Sequence, residues 1–246
     1  MKFIITKDYD EMSEVIAKLV MDLIKEKPDL SFCLPAGGSP IGMYKVLVRE
    51  YEAGNVDFSK LYTYNMDEYV GLEKGHHQSY AYFADHHLLN HVNINRSRVT
   101  SPQVADGDVE KAVQEYRNKL AAVGGLDLAI SGVGDNGHVA FNEPNDYLIP
   151  HFHAVNLDEA TIKANSRFFD DISEVPKQAV TIGIADIMLA KHLFIVASGE
   201  KKAPIFERLF ENDHVDPHFP VSFLRMHPNV TFILDEAAAA KIKDKI

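Results

Sequence analysis

The sequence predicts an α/β fold: a Rossmann-like, mostly parallel sheet with helices on both faces, in a single domain over residues 1–246. Three observations predict it. Strand-like and helix-like runs alternate along the whole chain, with no Ser/Gly/Pro-rich linker and no repeat period between them. Several strand-like runs are apolar at every position, such as Leu128-Ala129-Ile130 and Leu193-Phe194-Ile195-Val196, as strands covered on both sides must be. Hydrophobic residues make up 46% of the 246, enough for a core of useful size.

The elements follow in order. Phe3 to Ile5 reads as a short strand. Asp8 and Glu11 then have capping-box spacing, ahead of Met12, Val15, Ile16, Leu19, Val20, Leu23 and Ile24 at helical intervals, and Pro28 closes that helix. Ser31 to Leu34 is a buried strand leading into the loop Pro35–Pro40. Ser39 as N-cap, with Pro40 at the first helical position, opens a helix running toward Gly54. Leu61 to Asn65, rich in Tyr and Thr, is a strand that ends at Met66–Gly71. Ser79 caps a helix through Leu89. Asp108 opens another, with Val109, Ala112, Val113, Tyr116 and Leu120 on one face, and Gly124-Gly125 stops it. Leu126 to Ser131 is a strand, as is Phe152 to Leu157. Asp158 starts a polar helix through Ala164 toward Arg167, read as a mobile lid. Ala179–Ile182 and His192–Ala197 are strands, Lys202–Phe210 a helix, Val230–Leu234 the last strand and Glu236–Ile242 a terminal helix.

Bulk charge narrows the partners. A formal net charge of −11 argues against nucleic acid or an anionic membrane surface, though a site within an acidic protein can still be locally positive. No apolar run approaches membrane-spanning length, and the N-terminus lacks the basic and apolar regions of a signal peptide. A soluble, cytoplasmic protein is expected. Cys33 is the single cysteine, so no intramolecular disulfide can form. Its place in a buried strand marks it as a small hydrophobe.

Ligands of such sheets bind beyond the carboxyl ends of the strands. The loops richest in reactive groups all lie there: 35–40, 66–71, 132–144 and 198–202. The loop Gly132–Pro144 contains the dinucleotide-binding spelling Gly132-x-Gly134-x-x-Gly137. That fingerprint needs a helix starting at the glycines, and Asn142-Glu143-Pro144-Asn145 and Pro150 break any helix there. Gly37 and Gly42 have P-loop separation, but Met43 stands where the phosphate-binding lysine belongs. What remains is a glycine pair before a helix, able to aim backbone N–H groups at an anion. His87 and His91 lie at i, i+4 without the zincin glutamate, and His76-His77 and His151/His153 lack a matching ligand set, so no metal site is expected.

Acid/base chemistry is better supported. His138 stands among glycines with Glu143 five residues on, across a turn, the pairing of an imidazole tuned by a carboxylate. Asp67 ends a different strand, so carboxylate and imidazole could address opposite ends of one small substrate. Taken alone, Asp67-Glu68 reads as a solvated turn. No nucleophile elbow is visible. Arg167 and Lys202 bring positive charge to the same rim. Lys202 sits near a helix N-terminus, where the macrodipole disfavours it unless an anion lies between.

These residues fall in segments that resemble the glucosamine-6-phosphate deaminases of the sugar-phosphate isomerase/deaminase superfamily. The segments are Leu34–Pro40, Asn65–Leu72, Gly132–Pro144, Ala164–Phe169, and Ser198-Gly199 with Lys202-Ala203, in family order over nearly the whole chain. The resemblance implies a cofactor-free aldose–ketose isomerisation of glucosamine 6-phosphate with loss of ammonia, giving fructose 6-phosphate in amino-sugar catabolism. It implies that His138 opens the pyranose ring, with Glu143 and Asn136 in its relay. Asp67 would carry the proton from carbon 2 to carbon 1, while Gly37, Gly38, Ser39, Arg167 and Lys202 hold the phosphate. The alternatives are galactosamine 6-phosphate as substrate, a 6-phosphogluconolactonase, and a non-catalytic sugar-phosphate sensor.

Three departures qualify the likeness. The best-studied branch carries Asp where this chain has Asn136, in the reversed order Asp135-Asn136. Ala36 replaces a usual Thr and removes a hydroxyl from the phosphate loop. The sequence ends at Ile246 without the extension of allosteric hexameric members, and His153 and Val155 stand where those members place basic effector-binding residues. The expectation is a monomer or small homo-oligomer that an acetylated sugar phosphate does not activate.

Overall fold

The structure, a computed structural model, describes residues 1–246 except residues 106, 107, 158, 167 and 168 and the side chains of residues 160 and 164. In chain order the elements are β1 (Lys2–Thr6), α1 (Tyr9–Glu26), β2 (Ser31–Leu34), α2 (Ile41–Glu52), β3 (Tyr62–Asn65), β4 (Asp67–Tyr69), α3 (Tyr80–Ala84), β5 (Val99–Thr100), α4 (Val109–Ala122), β6 (Leu128–Gly132), β7 (His153–Asn156), α5 (Glu159–Asn165), β8 (Gln178–Thr181), α6 (Ile184–Met188), β9 (His192–Ala197), α7 (Ala203–Glu211) and β10 (Val230–Asp235).

Seven strands form one sheet in the order β1-β10-β9-β6-β2-β3-β5, and all its pairings are parallel. Successive side chains of its strands enter opposite cores, as the period of two requires. Phe32, Leu34, Leu128, Ile130, Phe194, Val196 and Ile233 pack with Met12, Ile16 and Val20 of α1 and Met43, Tyr44 and Leu47 of α2. Cys33, Ala129, Leu193, Ile195, Phe232 and Leu234 face the other way, onto Tyr116 and Leu120 of α4 and Ile205, Phe206 and Leu209 of α7. The α/β architecture expected from the apolar strands is therefore present, with Cys33 buried and free.

The caps explain where the helices begin. Asp8 accepts from the Glu11 N–H at 2.9 Å, while the Glu11 carboxylate takes the N–H of Lys7 at 2.6 Å, one residue earlier than a standard capping box. Ser79 caps α3 by accepting from the Tyr82 N–H at 3.0 Å. That helix continues as a π-helical turn, Asp85–Leu89, so the helical stretch reaches the expected end in two geometries. Gly124 and Gly125, both at positive φ, follow α4.

Four expectations need correction. A second sheet, β4-β8-β7, is antiparallel; the strands near 152–157 and 179–182 belong to it and not to the main sheet. Ser39 makes no capping bond, and α2 begins at Ile41 after Pro40, which has no side chain able to cap. Glu236–Ile242 forms a run of turns in place of a helix: Asp235 caps it through the Ala238 N–H, but after one i, i+4 bond from Ala239 the next two, from Ala240 and Ile242, are of the i, i+3 kind. The edge strand β5 was not anticipated, being two residues long. Among the described residues no helix is long and apolar enough to cross a membrane.

Candidate active site

Strand order places the site. From β2 the chain builds outward through β3 and β5, and from β6 it builds the other way through β9 to β10, which pairs with the opening strand β1. The switch point lies between β2 and β6, where α/β sheets open a crevice at the carboxyl ends. The loops 35–40 and 132–144 leave the two strands on either side of it. Loop 66–71 follows the next strand, β3, and loop 198–202 follows β9, the neighbour of β6. The four loops singled out in the sequence are thus adjacent along one sheet edge.

Loop 132–144 contains no helix, which removes the dinucleotide reading. Its backbone closes on itself through Gly134 N–H to His138 O at 2.9 Å and Gly137 N–H to Gly134 O at 3.0 Å. Gly134 has a specific purpose: a Cβ there would stand 2.1 to 2.4 Å from three atoms of the His138 ring. Gly137, at φ +88°, is likewise covered by the Phe219 ring, 2.4 Å from where its Cβ would be. Ala140 is the only non-glycine at positive φ among the described residues, and its turn carries the chain from His138 back to Glu143.

His138 Nδ1 lies 3.2 Å from Glu143 Oε1, out of line for a full hydrogen bond. Asn136 Nδ2 donates to Glu143 Oε2 at 2.7 Å, and its own carbonyl accepts from the His138 backbone N–H at 3.1 Å. Thr161 Oγ1 donates to Glu143 Oε1 at 2.7 Å. Burial pushes the Glu143 carboxyl up, but His138 and the donors Thr161 and Asn136 outweigh it and hold the group below the ordinary carboxylate range. The relay of His138, Asn136 and Glu143 is assembled as one cluster. Thr161 was not foreseen, and a hydroxyl on a polar helix carries no signal of it.

Asp67 opens β4 opposite Thr181 of β8. Thr181 Oγ1 also accepts from the Phe141 N–H at 3.0 Å, and Asn142 donates to Ile182 O at 2.8 Å, so β8 ties the Asp67 strand to the relay loop. Asp67-Glu68 is not a solvated turn: the two residues are 8% and 3% exposed. Glu68 is satisfied by the N–H groups of Tyr69 (3.0 Å), Tyr80 (2.8 Å) and Ala81 (2.9 Å), the last two at the start of α3. The Asp67 carboxylate has no hydrogen bond among the described residues. Burial, with the Glu68 charge beside it, pushes its pKa up to about 8. An unpaired, desolvated carboxylate is a strong proton acceptor once ionised.

The 35–42 loop is braced from beneath. The Tyr9 hydroxyl accepts the Gly42 N–H at 2.8 Å and donates to Gly38 O at 3.2 Å, and Tyr44 donates to Pro35 O at 2.7 Å. Gly37 is at φ +94°, and a Cβ at Gly37 or Gly38 would meet nothing within 4 Å, so that side of the loop is open. The Ser39 side chain makes no hydrogen bond among the described residues. Lys202 Nζ donates to Val133 O at 2.8 Å and to Asp135, whose carboxyl it holds low. An ammonium has three donors, so one is left for an anion. Arg167 lies outside the described residues, as do Asp158 and Phe168 of the expected lid. Among the described residues no group of three or more His, Cys, Asp or Glu side chains is placed to hold a metal ion.

Comparison with known proteins gives the family and agrees with the fold. Residues 7–233 match the family described as glucosamine-6-phosphate isomerases/6-phosphogluconolactonase. A glucosamine-6-phosphate deaminase of Clostridium perfringens (strain 13 / Type A) is 43% identical over 243 residues, covering 99% of this chain and 100% of that protein. One of Thermoanaerobacter pseudethanolicus is 42% identical over 245 residues, covering 100% and 96%. A solved monomeric glucosamine-6-phosphate deaminase superposes with a TM-score of 0.94 at 35% identity, covering 98% of this chain and 100% of that one.

Proposed function

The chain belongs to the glucosamine-6-phosphate isomerase/6-phosphogluconolactonase family, and from that premise we propose that it converts glucosamine 6-phosphate to fructose 6-phosphate and ammonia. It would do so in the cytoplasm, as one domain over residues 1–246 and as a monomer or small homo-oligomer. The observation that supports this reading is a buried carboxylate, Asp67, without a hydrogen bond among the described residues, on a strand that β8 ties to the loop holding His138, Glu143 and Asn136.

The phosphate lies on the N–H groups of Gly37, Gly38 and Ser39, with the third donor of Lys202 and the guanidinium of Arg167. His138 moves a proton between the anomeric hydroxyl and the ring oxygen as the bond from carbon 1 to that oxygen breaks, and Glu143 stabilises the imidazolium. Asp67 removes the proton from carbon 2, giving an enolamine, and returns it to carbon 1. The resulting carbon 2 imine adds water and expels ammonia. The balance closes with one water consumed and no cofactor or metal.

A lactonase needs no base at carbon 2, and a sensor needs no proton carriers at all. Either would leave Asp67 buried and unpaired without a task. The test is ammonia release from glucosamine 6-phosphate, with galactosamine 6-phosphate and a 6-phosphogluconolactone in parallel. Ammonia from the first supports the reading, and hydrolysis of the lactone alone overturns it.

A further inference from the structure

Helix α5 presents two polar side chains one turn apart, at i and i+4, on one face: Thr161 and Asn165. They reach different parts of the site. Thr161 Oγ1 donates to Glu143 Oε1, the oxygen that also lies 3.2 Å from His138 Nδ1. Asn165 Nδ2 donates to the Tyr69 hydroxyl at 2.8 Å, and Tyr69 closes the strand that Asp67 opens. Apolar contacts run the same way, since Ile162 of α5 packs in a cluster with Tyr69 and with Phe141 of the relay loop.

We propose that α5 is a clip that fixes the two proton carriers relative to each other, with Thr161 and Asn165 as positioning residues. It rests on the assignment of Asp67 and His138 as proton carriers. Thr161 and Asn136 occupy one oxygen each of Glu143, so the carboxylate cannot rotate without losing a donor. Without Thr161, Oε1 keeps only the poorly aligned His138 Nδ1 while Asn136 holds Oε2, so Oε1 can swing off the imidazole. At the other end, Asn165 and Tyr80 are the hydrogen-bond partners of the Tyr69 hydroxyl, and Tyr80 is its weaker one at 3.4 Å. The charged groups facing this relay are His138 and Glu143 themselves and the Asp135–Lys202 pair.

Thr161→Val replaces the hydroxyl with a methyl of similar size and removes the donor to Glu143. The expected result is about a tenfold lower kcat for ammonia release with KM nearly unchanged. The acid limb of the pH profile moves to higher pH, because Glu143 loses a donor, and Thr161→Ser restores both. Asn165→Leu alone also lowers kcat, and it keeps the proposal exposed if the valine variant does not fold. In the double variant the losses should be less than multiplicative, because cutting one end already frees the clip. Carbon NMR of the Glu143 carboxylate in the ligand-free protein reads the same titration shift without turnover, so a failure of the proposed reaction and a failure of the clip are distinguishable. An unchanged Glu143 titration in folded Thr161→Val, an unchanged kcat in Asn165→Leu, or fully multiplicative losses would overturn it.

Discussion

Gly134→Ala isolates the geometry of the imidazole from its chemistry. The backbone accepts alanine, because Gly134 is not among the glycines at positive φ. The side chain is not accepted. The new methyl would stand 2.1 Å from His138 Cε1, 2.3 Å from Nδ1 and 2.4 Å from Nε2. Carbon contacts settle near 3.5 Å, so the ring must withdraw by about 1.4 Å. A displacement of ~1 Å at a reacting group costs about 100-fold in rate, so kcat should fall about 100-fold. Folding should suffer less, since overpacking costs ~1–3 kcal/mol and a loop can yield. Steady-state ammonia release read beside a thermal melt separates the two effects. A folded variant within about threefold of wild-type kcat would refute the claim that the glycine exists to seat this ring.

Asp67→Asn should abolish turnover while substrate still raises the melting temperature; residual activity near wild type would remove Asp67 as the base. The same variant has a stability signature. A carboxyl raised to about 8 stabilises the folded state below its unfolded pKa, and that contribution is lost as pH rises through about 8. Between pH 5 and 9 the wild type should lose on the order of a few kcal/mol, and the variant only the part owed to Glu68, whose pKa is raised to about 7. Chemical denaturation at the two pH values measures it. Lys202→Ala should raise KM at least about tenfold with a smaller change in kcat, since a charge-assisted bond is worth ~1.5–3 kcal/mol; an unchanged KM removes it from the phosphate site. Tyr9→Phe withdraws the hydroxyl that links Gly42 and Gly38, and KM should rise about fivefold, the worth of ~1 kcal/mol; equal KM values would show that the loop holds its shape unaided.

Legibility in the sequence followed the range of the interactions. The parallel sheet could be read because its inner strands β2, β6, β9 and β10 are largely apolar in themselves, and the grouping of Asn136, His138 and Glu143 because they lie within one loop. The antiparallel sheet could not. β4 is three residues long and starts one residue after β3, and β7 and β8 look like further members of the main sheet until their partners are known. The residues that support the site were hidden for the same reason. Tyr9 acts on a loop 29 and 33 residues away, Thr161 on a carboxylate 18 residues back and Glu68 on amides 12 and 13 residues ahead. Nothing local marks such a tyrosine or threonine, and a glutamate beside an aspartate looks like exposed charge until a helix N-terminus is placed on it.

The amide at position 136 follows from the same geometry. Its nitrogen is 2.7 Å from Glu143 Oε2. A carboxylate there would set like charges at hydrogen-bond distance, and the two would hold a proton between them. The amide donates instead, and its carbonyl is left to take the His138 N–H, so one residue fixes both the imidazole's backbone and one oxygen of its partner. Oε2 is thereby occupied, and Oε1 is the oxygen that faces His138 Nδ1 and takes the Thr161 hydroxyl. The neighbouring negative charge, Asp135, is neutralised by Lys202. On the proposed mechanism, a single carboxylate, Glu143, then contacts the imidazole, so His138 can gain a proton and still release it. Asn136 withholds a charge from the relay and keeps the one that remains ionised.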